Sequence, residues 1–419
     1  MTSTARASSS SSAPPNAIGS VRTGPRFPRK IERLPVQAIV EIGKFAEAFP
    51  DVVPLWFGES DLATPKPIIE AANRAAISGV TFYPNVYGTS ELRSAIANYA
   101  SSLHNTDIAP SRTLVTASGM EALSVALQSV VADGDHLVII RPCWQNLIGI
   151  VERLGAEVCE LSLIRDSCNN WSLPVSEIVR STTEATKAIV VNSPNNPTGW
   201  VMKPAEHRQL LEFARSRGIW LIMDEVYERL SLTSNVAPSM LDFAHPDDPV
   251  IVINSFSKAW AMTGWRLGWI VAPERCIDVL GIVKEYSSSG TNPFVQSGGC
   301  AALRDGEEFV DFFRTYCRHG LEIVQNTLGA EKSITLPAPE ATFYAIFKAE
   351  GIPGGIETCR KLVAEHGVGI APCDAFGGGL DDWFRVCFAQ SPDKLQKGLQ
   401  RLVKGLRALR SSAGTEAPN

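Results

Sequence analysis

Val250-Ile251-Val252-Ile253-Asn254-Ser255-Phe256-Ser257-Lys258 is an apolar, β-branched run that ends in small hydroxyl residues and one lysine. Eight residues after that lysine comes Arg266, set between Gly264 and Gly268. A run apolar at every position is what a strand buried on both faces of a parallel sheet requires. Ligands of such sheets bind beyond the carboxyl ends of the strands, which is where Lys258 falls. A lysine amine there, with hydroxyls and an arginine close by, suits an aldehyde cofactor that carries a phosphate.

Working outward, the same kind of run recurs. Thr113–Thr116, Leu137–Ile140, Glu157–Leu161, Ala188–Val191 and Trp220–Met223 read as strands. Gly119–Val131, Leu147–Leu154 and Pro204–Arg217 read as helices between them. This rhythm predicts an α/β fold with a mostly parallel sheet covered on both faces. Upstream, Ile31–Phe49 has the spacing of an amphipathic helix, Pro67 opens a helix over 68–78, and Thr89 or Ser90 caps another over 91–103. Downstream of about residue 300 the character changes. A long helix (306–328) is followed by strands at 342–347 and 383–388, and Ser391-Pro392-Asp393 caps a last helix through Arg410. That helix carries six Lys or Arg residues opposite Leu395, Leu399, Leu402 and Leu406, the pattern of a packed helix with a solvated basic face.

Composition narrows the function. The 419 residues are 45% hydrophobic and 20% charged, with a formal net charge of −5, so no nucleic-acid partner is expected. No apolar run reaches the ~18 residues of a membrane span. Nine cysteines are scattered without a C-x-x-C pair, which favours reduced thiols in a cytoplasm over a disulfide framework. Isolated histidines and the lack of an H-E-x-x-H argue against a metal site. Residues 1–31 are rich in Ser, Ala and Pro with basic residues but no acid, and read as a disordered tail, with an organelle transit peptide as the alternative.

The ends of the strands carry polar residues of defined type. After the first comes Ala117-Ser118-Gly119-Met120-Glu121, a turn into a helix whose free N–H groups suit a phosphate; Ser118 and Glu121 also have the spacing of a plain capping box. Trp144 follows the second strand and suits either ring stacking or the core. Asn192-Ser-Pro-Asn195-Asn196-Pro197-Thr198-Gly199 is a stiff loop able to present an amide. Asp224-Glu225-Val-Tyr227 continues a buried strand with an acid that needs a partner, such as a protonated pyridine nitrogen; Tyr227 lies within reach of a phenolic oxygen.

Asn195-Asn196-Pro197-Thr198-Gly199, Asp224-Glu225-Val-Tyr227 and Ser255-Phe256-Ser257-Lys258 with Gly264-Trp-Arg266-Leu-Gly268 resemble the pyridoxal-phosphate-dependent aminotransferases of class I/II, fold type I, over roughly residues 31–410. The resemblance implies a seven-stranded-type sheet in a large domain (61–300) and a smaller α+β domain (301–410). A segment (31–60) would join the small domain, with tails at 1–30 and 411–419. It implies pyridoxal 5'-phosphate bound as an internal aldimine to Lys258, which also shuttles the substrate proton in a ping-pong transfer of an α-amino group from an amino acid to a 2-oxo acid. Asp224 would keep the ring nitrogen protonated, and Tyr227 and Asn196 would bond its phenolate oxygen. Trp144 would stack on the ring, and Ser118, Gly119, Met120 (through its N–H), Ser255 and Arg266 would cradle the phosphate. Tyr83, five residues before Gly88, would reach the phosphate of a neighbouring subunit in a homodimer with shared sites. Arg385 would hold the substrate carboxylate, with Gly58 touching the substrate through its backbone.

The sequence departs from the dicarboxylate-specific branch in one respect. Tyr286-Ser-Ser-Ser-Gly-Thr-Asn-Pro-Phe294, the counterpart of the loop that supplies a second arginine there, contains no arginine or lysine. Neutral or aromatic amino donors are therefore as compatible as aspartate. A lyase on the same fold shares nearly all these residues and is the alternative activity. A cofactor-binding DNA regulator would need an N-terminal helix-turn-helix domain, for which the residues before the matched region are too few.

Overall fold

The computed structural model describes residues 27–32, 34 and 36–415. Most of the tail expected over 1–30 lies outside them, although helix α1 (Arg29–Glu32) has begun by residue 29. Seven strands form one sheet: β1 (Thr113–Thr116), β2 (His136–Arg141), β3 (Glu157–Ser162), β4 (Thr186–Asn192), β5 (Trp220–Asp224), β6 (Val250–Ser255) and β7 (Gly268–Val271). Their order is β1-β7-β6-β5-β4-β2-β3, and every pairing is parallel except those of β7 with β1 and β6. Side chains alternate across the sheet as strand geometry requires. Leu137, Ile139, Ile222 and Ile251 pack on one face, whereas Val138, Ile140, Leu221 and Val252 pack on the other. Each such side chain, fully buried, contributes on the order of 2 kcal/mol to burial.

The remaining helices, in chain order, are α2 (Ala38–Ala46), α3 (Lys66–Ile77), α4 (Ser90–His104), α5 (Gly119–Val130), α6 (Gln145–Leu154), α7 (Val175–Arg180) and α8 (Pro204–Arg217). They continue with α9 (Phe256–Ala259), α10 (Glu274–Ser288), α11 (Pro293–Asp305), α12 (Glu307–Leu328), α13 (Ile356–His366) and α14 (Pro392–Thr415). A second, antiparallel sheet is built from β8 (Ile334–Thr335), β9 (Tyr344–Ala349), β10 (Ala371–Pro372) and β11 (Trp383–Cys387), in the order β8-β9-β11-β10. Its core draws in Ile39 and Ile42 from α2. Val53–Pro54 pairs in parallel with Val368–Gly369, so the N-terminal segment is stitched into the C-terminal layer.

Several elements differ from the sequence reading. The helix expected over 31–49 is two helices with a bend at Leu34, because Pro35 has no N–H to give a helix and pushes the residue before it out of the α region. Strand β7 is four residues long and antiparallel, and α10 and α11 follow it; none of the three was expected. Helix α14 runs on to Thr415 instead of ending at Arg410. Leu395, Leu399, Leu402 and Leu406 are all buried, so its apolar face is a packed one. Among the described residues no helix is long and apolar enough to cross a membrane.

Candidate active site

Parallel strands β1, β4, β5 and β6 end at the same edge of the sheet, and the segments that follow them line one cavity of about 300 Å³. The sheet brings Gly119, Met120, Trp144, Asn196, Asp224, Tyr227, Ser255, Lys258 and Arg266 to this cavity. Gly58 and Arg385 reach it from the N-terminal segment and the second sheet. Ser118 is not among the residues lining it; it is the N-cap of α5, its Oγ accepting from Glu121 N–H at 3.0 Å, while the Glu121 carboxylate accepts from Ala117 N–H, so half of the capping box forms. Tyr83 is 93% exposed and is not among the residues lining this cavity.

Lys258 is held just beyond β6 in the single turn α9, which Ser255 opens by accepting from Ser257 N–H. Its Nζ donates to the carbonyl oxygen of Gly58 at 2.7 Å. Burial and then the positive charge of Arg385 pull its amine down to about 8, against the opposing pull of Cys387 and Glu59. A lysine so placed has a large neutral fraction near physiological pH, which a nucleophile toward a carbonyl needs. Gly58 is glycine for a steric reason, since a Cβ there would collide with the Tyr344 hydroxyl.

Asp224 is the last residue of β5, beside Asn192 of β4. Burial raises its carboxyl to about 6, although Val226 N–H and Lys258 pull it down. Among the described residues its side chain accepts one hydrogen bond, a long one from Val226 N–H at 3.4 Å. A carboxylate this poorly satisfied at the base of a cavity is suited to a cationic ring N–H. The Tyr227 hydroxyl, 2.8 Å from that of Tyr344, is pushed up by burial and then by Tyr344, so it stays protonated and can donate.

The amide loop divides its labour. Asn195 holds the turn, donating to Pro142 O at 2.9 Å and accepting from the Thr198 hydroxyl at 2.7 Å. Asn196 is the one presented to the cavity, its Oδ1 accepting from Arg385 Nη1 at 2.8 Å. Arg385 is buried on β11, donates through Nη2 to Trp56 O at 2.7 Å, and lies 4.2 Å from the Tyr344 ring centroid. Its Nε has no partner among the described residues, so the guanidinium keeps capacity for an incoming carboxylate.

At the other end are the first-turn N–H groups of Gly119 and Met120, the hydroxyls of Ser255 and Ser257, and Arg266, which donates to Thr263 O at 2.6 Å. N–H groups at a helix start have no carbonyl of their own helix, and with a guanidinium they suit a phosphate dianion. Gly268 lets the helix start come this close: it pairs with both Thr116 and Ser255, and a Cβ on it would lie 2.7 Å from Gly119 N. Trp144, the N-cap of α6, packs against Phe376 at 5.8 Å and closes one side. Phosphate donors, a carboxylate, a hydroxyl, an amide and a neutralisable lysine thus surround one volume, and a flat pyridine ring with an aldehyde and a phosphate fits that set.

The structure adds residues that the sequence did not single out. Asn192 lines the cavity and locks the loop, accepting from Asn196 N–H at 2.9 Å and donating to Asp224 O at 3.1 Å. Its position at the end of a buried strand was the available signal. Tyr344, Gln37, Ile39, Val40 and Phe57 also line the cavity. Nothing in their local sequence marks them, because they arrive from elements far away in the chain.

Behind Asp224 a buried cluster fixes the segment that follows. His104 lies 3.0 Å from Asp242 and 3.3 Å from Glu228, while Glu225 accepts from Met240 N–H at 2.8 Å and from the Ser239 hydroxyl. Burial alone would lower the His104 imidazole, but Asp242 and Glu228 override it and lift it to about 10. The folded-state value lies above the ordinary 6.5, so this stabilisation is complete below about pH 6.5 and is lost as pH rises through about 10. Glu225, raised to about 8 by burial and then by Glu228, loses stability in the same direction. His104→Ala is expected to cost ~3 kcal/mol at pH 6.5, as breaking a buried ion pair does, and much less at pH 10. Denaturant midpoints of both proteins at the two pH values check this, and a constant gap would contradict it.

Comparison with known proteins agrees with this geometry. Residues 50–402 match the family model of aminotransferase class I and II. The chain is 30% identical over 380 residues to the aspartate aminotransferase of Thermotoga maritima, covering 89% of this chain and 97% of that one. It is also 30% identical over 367 residues to the probable aspartate/prephenate aminotransferase of Aquifex aeolicus, covering 86% and 92%. Among solved structures, Escherichia coli YbdL, which has a methionine aminotransferase function, superimposes with a TM-score of 0.84 at 25% identity, covering 91% of this chain and all of that one. With the match running unbroken from the N-terminal segment to α14 and taking in every strand end that lines the cavity, the chain belongs to the aminotransferase class I and II family.

Proposed function

We propose that this aminotransferase carries pyridoxal 5'-phosphate at Lys258 and moves an α-amino group from an amino acid to a 2-oxo acid in two half-reactions, as a homodimer in the cytoplasm. The observation that carries the reading is the convergence of Lys258, Asp224, Tyr227, Asn196 and Arg385 on one cavity. Bound there, the cofactor supplies an aldehyde for the amino group and a ring that accepts electrons from the substrate α-carbon. Lys258 Nζ, neutral once free, takes the α-proton and returns it during the exchange. The Asp224 carboxylate holds the proton on the ring nitrogen, and the Tyr227 hydroxyl and Asn196 amide donate to the ring oxygen. Trp144 covers the ring and limits water, while Ser118, Gly119, Met120, Ser255 and Arg266 fix the phosphate. Arg385 orients the substrate through its carboxylate, against the backbone of Gly58.

The dimer rests on one exposed surface. Phe82 is 84%, Tyr83 93% and Tyr286 91% exposed. Tyr286 lies in the last turn of α10, and the turn that follows it adjoins the loop of Phe82 and Tyr83, since a Cβ on Gly290 would lie 2.7 Å from Pro84. Aromatic side chains this exposed on adjoining segments suit a self-complementary interface through which Tyr83 reaches the partner's phosphate site. Nine free thiols suit a reducing compartment.

The test is a half-reaction. Holoenzyme mixed with an amino acid alone should release one equivalent of the matching 2-oxo acid per subunit and no ammonia, lose its visible cofactor band, and regain it when a 2-oxo acid is added. Continuous release of ammonia and pyruvate from a cysteine conjugate would assign a lyase instead.

A further inference from the structure

Resting on the amino-acid reading above, the side chain of the substrate is the open question, and the walls of the cavity speak to it. The cations among its described lining residues are Lys258, Arg266 and Arg385. Each is committed: Lys258 to the aldehyde, Arg266 to the phosphate and Arg385 to the α-carboxylate. The rest of the wall facing α2 and α5 is apolar, made by Ile39, Val40, Phe57, Met120 and Leu123. Gln37 is the polar residue there, and its Nε2 donates to Asn146 Oδ1, whose amide nitrogen in turn lies 4.0 Å from Met120 Sδ. That link ties the start of α2 to α6 and α5 and uses one N–H of the Gln37 amide. The segment 286–294, which runs from the end of α10 into α11 and adjoins Pro84 on the proposed dimer surface, carries hydroxyls and an amide but no arginine or lysine.

We infer that this cavity selects amino acids with uncharged, apolar side chains, aliphatic, thioether or aromatic, and rejects a second carboxylate. A carboxylate placed against this wall loses its water and meets no cation, and such a group is costly to bury. An apolar side chain gains from the same desolvation. The relatives named as aspartate aminotransferases therefore share the fold and chemistry of this chain without fixing its donor.

The experiment uses the full-length holoenzyme and unreactive carboxylates, so it reads the pocket without turnover. Binding of 4-methylpentanoate and 3-phenylpropanoate is compared with that of maleate by calorimetry, alongside kcat/KM for leucine, methionine and phenylalanine against aspartate. The expected preference for the apolar member is on the order of 100-fold in both measurements. Val40→Arg, at a position already 41% exposed, should raise maleate affinity by about tenfold by adding the missing cation. Maleate binding as tightly as the apolar acids, with aspartate the better donor, overturns the inference and leaves the aminotransferase reading standing. Binding of neither class overturns both. Unchanged maleate affinity in Val40→Arg takes α2 out of the side-chain site and overturns the assignment of this wall.

Discussion

Lys258→Ala is expected to lower the rate of the half-reaction by at least ~10⁴-fold, because in the proposed reaction one side chain supplies both the nucleophile and the proton carrier. Reductive trapping with borohydride should no longer link the cofactor to the chain, and mass spectrometry of the peptide containing residue 258 checks this directly. Lys258→Arg should not rescue, since a guanidinium keeps the charge but gives no free amine. The fold should persist: the variant loses a desolvated cation whose one described hydrogen bond is to Gly58 O. A pH dependence accompanies this role. The amine lies at about 8 instead of the ordinary 10.5, lowered first by burial and then by Arg385. Its neutral, reactive form therefore gains as pH rises through 8, and cofactor capture by the apoprotein should accelerate across that range. Capture that speeds up only near pH 10 would contradict the buried environment, and a Lys258→Ala protein with more than about 1% of wild-type rate would remove Lys258 from the chemistry.

Asp224→Ala carries the second-largest expected effect, a loss of ~10³-fold in kcat with the fold intact. In the proposed reaction the carboxylate is the partner that would keep the proton on the cofactor's ring nitrogen, and losing it would lower the ring's capacity to accept electrons. The stability consequence has the opposite sign. Burial raises the Asp224 carboxyl to about 6, so its desolvated surroundings disfavour the ionised form. Removing it should leave the apoprotein melting no lower than wild type, while the melting gain on adding cofactor shrinks. For wild type, cofactor affinity should fall as pH drops through about 6, where the carboxylate takes up a proton. Thermal melts with and without cofactor, set beside single-turnover rates, separate these effects. A loss under tenfold would sink the assigned role, and a large drop in apoprotein melting would recast Asp224 as structural.

Both residues were legible without coordinates, and the reason is local. Asp224 ends a buried apolar strand and Lys258 follows one within three residues, and a polar group at that place in a parallel sheet faces the ligand edge by construction. Strands β2, β4, β5 and β6 were readable for the same reason, since burial on both faces demands an unbroken apolar run. Strand β7 was not: Gly-Trp-Ile-Val is short, and its reason for being a strand is the gap between β1 and β6 that it fills.

The sequence by itself determined the alternating architecture, the family, and the residues at the strand ends that line one cavity. Tertiary structure alone decided who else stands around them. Arg385 meets Asn196 across 189 positions of chain, and Lys258 meets Gly58 across 200. Tyr344 reaches Tyr227 from the second sheet, and α2, whose Ile39 shares that sheet's core, brings Ile39 and Val40 to the cavity. Strand periodicity is written every two residues and can be read in a short window. Contacts between distant segments depend on how the whole chain packs, and no local pattern encodes that.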